Sequence, residues 1–137
     1  MRSVSIALAV CLLAFPALAG DPVSPLAGRW PFEVATEPGF RKLAGERLAK
    51  KIEPLLETGP KSEAVGGRWV AIEGCRPHSC DTAAAFVVVD CQTGAVKAWT
   101  TTSGKAGVKA DGNPSSAGMA PPRGVAAKLD EWRSRLR

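Results

Sequence analysis

The run from Thr82 to Val89 constrains the fold more than any other stretch of the chain. Its Phe86-Val87-Val88-Val89 segment is apolar at four consecutive positions, so a strand here has apolar side chains on both faces. It therefore reads as the central strand of a sheet. Two further runs, Arg68-Trp69-Val70-Ala71-Ile72-Glu73 before it and Ala95-Val96-Lys97-Ala98-Trp99-Thr100-Thr101 after it, are rich in β-branched and aromatic residues and read as its neighbours. Asp90-Cys91-Gln92-Thr93-Gly94 forms the turn into the last of these. Connections this short make neighbouring strands antiparallel.

Helical signals lie on either side of this block. Phe40, Leu43, Ala44, Leu48, Ile52 and Leu55 recur at three- and four-residue steps, with Arg41, Lys42, Glu46, Arg47, Lys50 and Lys51 on the other face. The spacing predicts one amphipathic helix that Pro54 terminates or kinks. Residues Lys61 to Val65 read as a short strand before the Gly66-Gly67 turn, and a further strand is expected around Val108. After Pro121-Pro122, the stripe Val125, Leu129, Trp132 and Leu136 suits a closing helix. The fold class is thus α+β: an antiparallel β-sheet with an N-terminal and a C-terminal helix packed on it, forming one domain over residues 39–137. Residues 20–38, with four prolines and few regular apolar positions, read as a loosely ordered lead-in whose Trp30 and Phe32 tuck against the domain.

Residues 1–19 read as a secretory signal peptide. Arg2 supplies a positive charge, Ile6 to Phe15 is apolar, Pro16 breaks the run, and Ala17-Leu18-Ala19 is a small-x-small cleavage signal before Gly20. The apolar run is shorter than the roughly 18–20 residues a membrane span needs. Val10 is too bulky for a lipoprotein site at Cys11, so lipidation is discounted. The expected location is the periplasm. Of the 137 residues, the remainder suffices for a single modest core.

The formal charge is +5, and its distribution is uneven: residues 20–96 carry 9 basic and 10 acidic side chains, residues 97–137 carry 8 and 3. No aromatic-interleaved basic motif accompanies that excess, so it points to a solvated helix face rather than to nucleic acid.

Three cysteines remain after the leader: Cys75, Cys80 and Cys91. The first two bound Cys75-Arg76-Pro77-His78-Ser79-Cys80, between two expected strands. If those strands pair, the cysteines face each other at the hairpin mouth, close enough to be bridged, and thiols outside the cytoplasm tend to be oxidised. A six-residue ring constrains the denatured state by about 2 kcal/mol. Pro77 stiffens it, and its tip carries the chain's one histidine.

A metal site on Cys75, His78, Cys80 and Cys91 is opposed by geometry, since the strand and turn separating Cys80 from Cys91 span on the order of 35 Å at ~3.3 Å per residue. Catalysis by a Cys–His pair is opposed by the absence of a clear orienting partner for the histidine. Two readings stay open on the residues alone: a rigid wedge that enters another protein's cleft, and a loop stapled only for stability.

The loop Gly74-Cys75-Arg76-Pro77-His78-Ser79-Cys80 resembles the signature loop of the Ivy family, the periplasmic inhibitors of vertebrate lysozyme, whose usual form is Cys-Lys-Pro-His-Asp-Cys. The order of surrounding elements is similar too, as is Gly112-Asn113-Pro114-Ser115 before a terminal helix. The resemblance implies a protein that is not an enzyme, needs no cofactor or metal, and blocks C-type lysozyme by inserting the loop Cys75, Arg76, Pro77, His78, Ser79 and Cys80 into the sugar-binding cleft. His78 would then be the key inhibitory residue, hydrogen-bonding the two catalytic carboxylates, with a disulfide between Cys75 and Cys80 holding the tip.

Two positions depart from the family pattern. Arg76 keeps the charge of the usual lysine but not its shape, and Ser79 removes a carboxylate. C-type lysozymes are generally cationic, so a basic inhibitor gains no overall steering toward them. Another muramidase, such as a lytic transglycosylase of the same bacterium, is the alternative partner. A non-inhibitory envelope-binding or structural module is the alternative from a different class. Cys91 is left over, as an exposed thiol at a turn or as a buried one.

Overall fold

A computed structural model describes residues 25–101 and 107–136. The leader read in residues 1–19 and the beginning of the lead-in lie outside the described residues. Three short helices come first: α1 (Pro31–Thr36), α2 (Pro38–Ala44) and α3 (Glu46–Ile52), the last continuing into a 3-10 turn at Glu53–Leu55. Five strands follow: β1 (Glu63–Val65), β2 (Trp69–Cys75), β3 (Ala84–Asp90), β4 (Ala95–Thr101) and β5 (Lys109–Gly112). A 3-10 turn at Pro114–Ser116 then leads to α4 (Arg123–Ser134).

The strands form one antiparallel sheet in chain order, β1-β2-β3-β4-β5. All seven residues of β3 are buried, as its doubly apolar sequence requires. Alternation along the strands sends Val70, Ile72, Val87 and Val89 to one face, under Val34, Phe40, Leu48 and Ile52 of the N-terminal helices. Trp69, Ala71, Phe86 and Val88 face the other way and meet Val125, Leu129 and Trp132 of α4. The α+β reading is therefore right, and the sheet lies between helices from the two ends of the chain.

Two expectations are corrected. The helix predicted from Phe40 to Leu55 is broken at Gly45, whose φ of +87° belongs to neither flanking helix. The apolar periodicity passes through the break because the backbone bonds Gly45 N–H to Arg41 O and Ala49 N–H to Gly45 O keep both short helices on the same face of the sheet.

The lead-in is ordered from residue 25 onward. Leu26 and Val34 are fully buried, and Ser62 donates to Leu26 O while its backbone exchanges bonds with Gly28 and Arg29. Trp30 and Phe32 do not tuck in: they are 43% and 49% exposed. On α1 the positions three and four apart, Pro31, Val34 and Ala35, take the buried face, which leaves Phe32 outside.

At the end of β3 opposite the Cys75–Cys80 loop, Asp90 is buried yet fully partnered. Burial alone would push its carboxyl up. Two hydrogen bonds from Arg68, at 2.8 and 2.7 Å, and others from the Gln92 backbone and Thr93 hydroxyl outweigh this and hold it below the usual carboxylate range. Asp111 is likewise held well below that range, chiefly by hydrogen bonds from Arg47. For a depressed folded-state pKa, the stabilisation is present above the unfolded value near 4 and is lost as pH falls through the folded value. Thermal unfolding should thus show stability level above about pH 5 and falling below about pH 4. Asp90→Asn should cost about 2 kcal/mol at neutral pH and flatten part of that acid limb.

Candidate functional site

The site is the connection between β2 and β3. Cys75 ends β2 opposite Ala84, and a second bridge joins it to Thr58, with Cys75 N–H donating to Thr58 O at 2.9 Å and Thr58 N–H returning a bond of 3.2 Å. The base of the loop is thereby held from two sides. Gly74 permits this crossing, since a Cβ there would lie 2.9 Å from Leu56 Cα and 3.0 Å from Thr58 O.

Above the base, Arg76 N–H donates to Ala83 O at 2.9 Å, and Ser79 N–H to Arg76 O at 3.0 Å. The second bond closes a four-residue turn with Pro77 in its second position and His78, at φ +65°, in its third. This is the arrangement of a type II turn, which proline favours at the first central position and which requires positive φ at the next. Glycine or asparagine is usual there. Histidine is among the non-glycine residues enriched in this region, but its use carries a strain of about 1 kcal/mol. The Ser79 carbonyl then accepts from Thr82 and Ala83 N–H, which returns the chain to β3.

Cys75 and Cys80 form a disulfide with their Cα atoms 4.9 Å apart. Cys75 is buried, whereas Arg76, Pro77, His78, Cys80 and Asp81 are exposed and Ser79 is half-buried. The imidazole thus stands outside the fold, on a tip fixed by one covalent bond and a ladder of backbone hydrogen bonds.

Two depressions flank the loop. One, of about 420 Å³, is bordered by Cys80, Asp81, Trp132 and Arg135; the other, of about 270 Å³, by Arg76, Lys51, Lys109, Pro54 and Thr100. Sequence reading found the tip but neither flank. Their residues come from α3, β5 and α4, elements far apart along the chain.

Cys91 is brought to neither. It follows β3 at the other end of the sheet and is buried in the core beneath the N-terminal helices, which decides between the two placements left open for it. The four residues considered for a metal are accordingly not assembled, and among the described residues no group of three or more His, Cys, Asp or Glu side chains is arranged to hold a metal ion.

The family model described as inhibitor of vertebrate lysozyme (Ivy) matches residues 35–135, from the end of α1 through α4 and including the whole loop. The chain belongs to the Ivy family. No curated protein and no solved structure matches the chain. The Ivy match begins inside α1, so the ordered lead-in with Leu26 lies outside it while packing into the same core. Membership in Ivy implies inhibition of lysozyme, a binding function rather than an enzymatic one.

Proposed function

We propose that this Ivy protein is a periplasmic inhibitor of a peptidoglycan-cleaving glycosidase, C-type lysozyme in the first instance, acting by insertion of the Cys75–Cys80 loop into the catalytic cleft. The observation that carries the reading is the exposure of His78 on a doubly braced tip. A loop already held in its bound shape loses little entropy on association. The leader in residues 1–19 supports an exported protein, and the oxidised pair suits that compartment.

The chemistry at the tip fits the target's. A retaining or inverting glycosidase uses one protonated and one ionised carboxyl on either side of the scissile bond. An imidazole has two nitrogens, each a donor or an acceptor according to protonation, so one ring placed between those carboxyls engages both. Substrate is excluded and the proton needed for leaving-group departure is tied up. A lytic transglycosylase, which works with a carboxyl in a similar cleft, is the second target of this reading.

The test is suppression of peptidoglycan lysis by C-type lysozyme and by a lytic transglycosylase in the presence of purified mature protein. The double substitution Cys75→Ser/Cys80→Ser should lower the unfolding free energy by about 2 kcal/mol and weaken inhibition about tenfold, because the ring no longer restricts the tip. Full inhibition by a variant with no disulfide would show that the bridge is a staple only. No suppression of either enzyme at micromolar protein would turn the assignment toward an envelope-binding module.

A further inference from the structure

Part of the C-terminal basic excess is ion-paired in the fold. On α4 Lys128 pairs with Glu63 and Arg133 with Asp130, and just past its end Arg135 pairs with Glu73. Three of the basic side chains of the C-terminal segment are thus ion-paired on or just past this helix, whereas Lys109 of the same segment lies on β5.

Unbalanced charge gathers instead beside the inhibitory loop. Arg76, Lys51 and Lys109 border the same depression, and Arg47 adjoins Lys51 through a shared partner. That partner is Asp111, bound by Arg47 at 2.6 Å and by Lys51 at 3.4 Å. Among the described residues neither Arg76 nor Lys109 forms an ion pair. On this flank Arg47 and Lys51 share one carboxylate, and Arg76 and Lys109 add two further cations without one. Across the loop the other depression is mixed, with Asp81, Glu73 and Arg135.

We infer that the Lys51–Arg76–Lys109 flank is a docking surface for an acidic rim on the inhibited enzyme, so that the protein selects glycosidases with an anionic cleft border over strongly cationic ones. The inference rests on the inserted-loop reading. A wedge that enters a cleft brings its own shoulders against the cleft's edges, well inside the Debye length of about 8 Å at physiological salt. Opposite charges at that distance raise the association rate by tenfold or more, and like charges suppress wrong partners. Arg76 belongs to both parts. Its backbone makes the turn and its side chain borders the charged flank, which couples insertion to charge selection.

The experiment measures association of the mature protein with two C-type lysozymes, one of net negative and one of net positive charge, from about 0.02 to 0.3 M salt. The anionic enzyme should associate about tenfold faster at the lowest salt, with the difference vanishing at the highest. Lys51→Gln/Lys109→Glu should slow association with the anionic enzyme about tenfold and leave the cationic one unchanged or faster. The single Lys109→Glu, at an exposed position of β5, should give the same ordering if the double variant is poorly folded. Equal rates for the two enzymes, or rates on the anionic enzyme that no charge variant alters, would overturn this inference alone. Association with neither enzyme would overturn the inserted-loop reading and this inference with it.

Discussion

His78→Ala is expected to weaken inhibition of the target glycosidase about a hundredfold while leaving the melting temperature almost unchanged. The two halves of this expectation have separate causes. A hundredfold loss corresponds to about 2.7 kcal/mol, the range of a central interface anchor whose partners are left buried and unpaired. The carboxyls of a glycosidase cleft are such partners. Stability is untouched because the side chain is exposed and serves no element of the core, and surface substitutions of this kind stay within about 0.5 kcal/mol. One complication is set by the backbone: at φ +65°, alanine is less tolerant than histidine and could reshape the turn. His78→Asn resolves it, since asparagine accepts positive φ but lacks the ring. Equal losses for the two variants would assign the effect to the imidazole. A loss for alanine and none for asparagine would assign it to the turn, and inhibition that survives both would remove His78 from the mechanism.

The tip's dependence on its scaffold explains what the sequence disclosed and what it withheld. Strands β2, β3 and β4 were legible because β-branched and aromatic residues fill them and the register is fixed by which face is buried. The loop was legible because two cysteines, a proline and the single histidine lie within six residues. Gly45 was a visible signal that the helical periodicity concealed, because a break that keeps both segments on one face leaves the apolar spacing nearly intact. In α1 the opposite happened. Trp30 and Phe32 drew attention by their size, yet the helix buries the smaller Val34 and Ala35, and proline-rich flanks obscured a turn of only six residues. The charged flank had no local signature at all, since Lys51, Arg76 and Lys109 meet only through the sheet's topology.

The same topology makes Asn113 understandable within the Gly112-Asn113-Pro114-Ser115 stretch. Its amide nitrogen donates to Leu43 O and Gly94 O, at 3.1 and 2.9 Å, and its oxygen accepts from Val96 N–H at 3.0 Å. One side chain thereby ties α2, the β3–β4 turn and β4 together, at the end of the sheet away from the tip. The family-like motif in the tail is thus a structural clamp, and the Cys75–Cys80 loop is at the other pole.

Trp132→Ala is expected to have the largest effect on stability, about 4 kcal/mol, lowering the melting temperature by roughly 15 °C for a domain of this size. Trp132 is buried on the sheet face that α4 covers, its ring 5.9 Å from that of Phe86, which in turn lies 6.2 Å from Trp99. Removing the indole leaves a cavity between helix and sheet that neither Leu129 nor Val125, held by their own positions on α4, can fill. The same ring borders the depression beside Cys75 and Cys80, so the helix is also the floor beneath one side of the tip. Inhibition measured well below the melting temperature separates these roles. If α4 acts only as a cover for the core, the variant that remains folded should inhibit nearly as well as the parent. If the floor holds the tip in shape, inhibition should fall several-fold even in fully folded protein, and Trp132→Phe, which restores most of the buried area, should recover it. A melting temperature unchanged by Trp132→Ala would mean that α4 does not seal this face of the sheet.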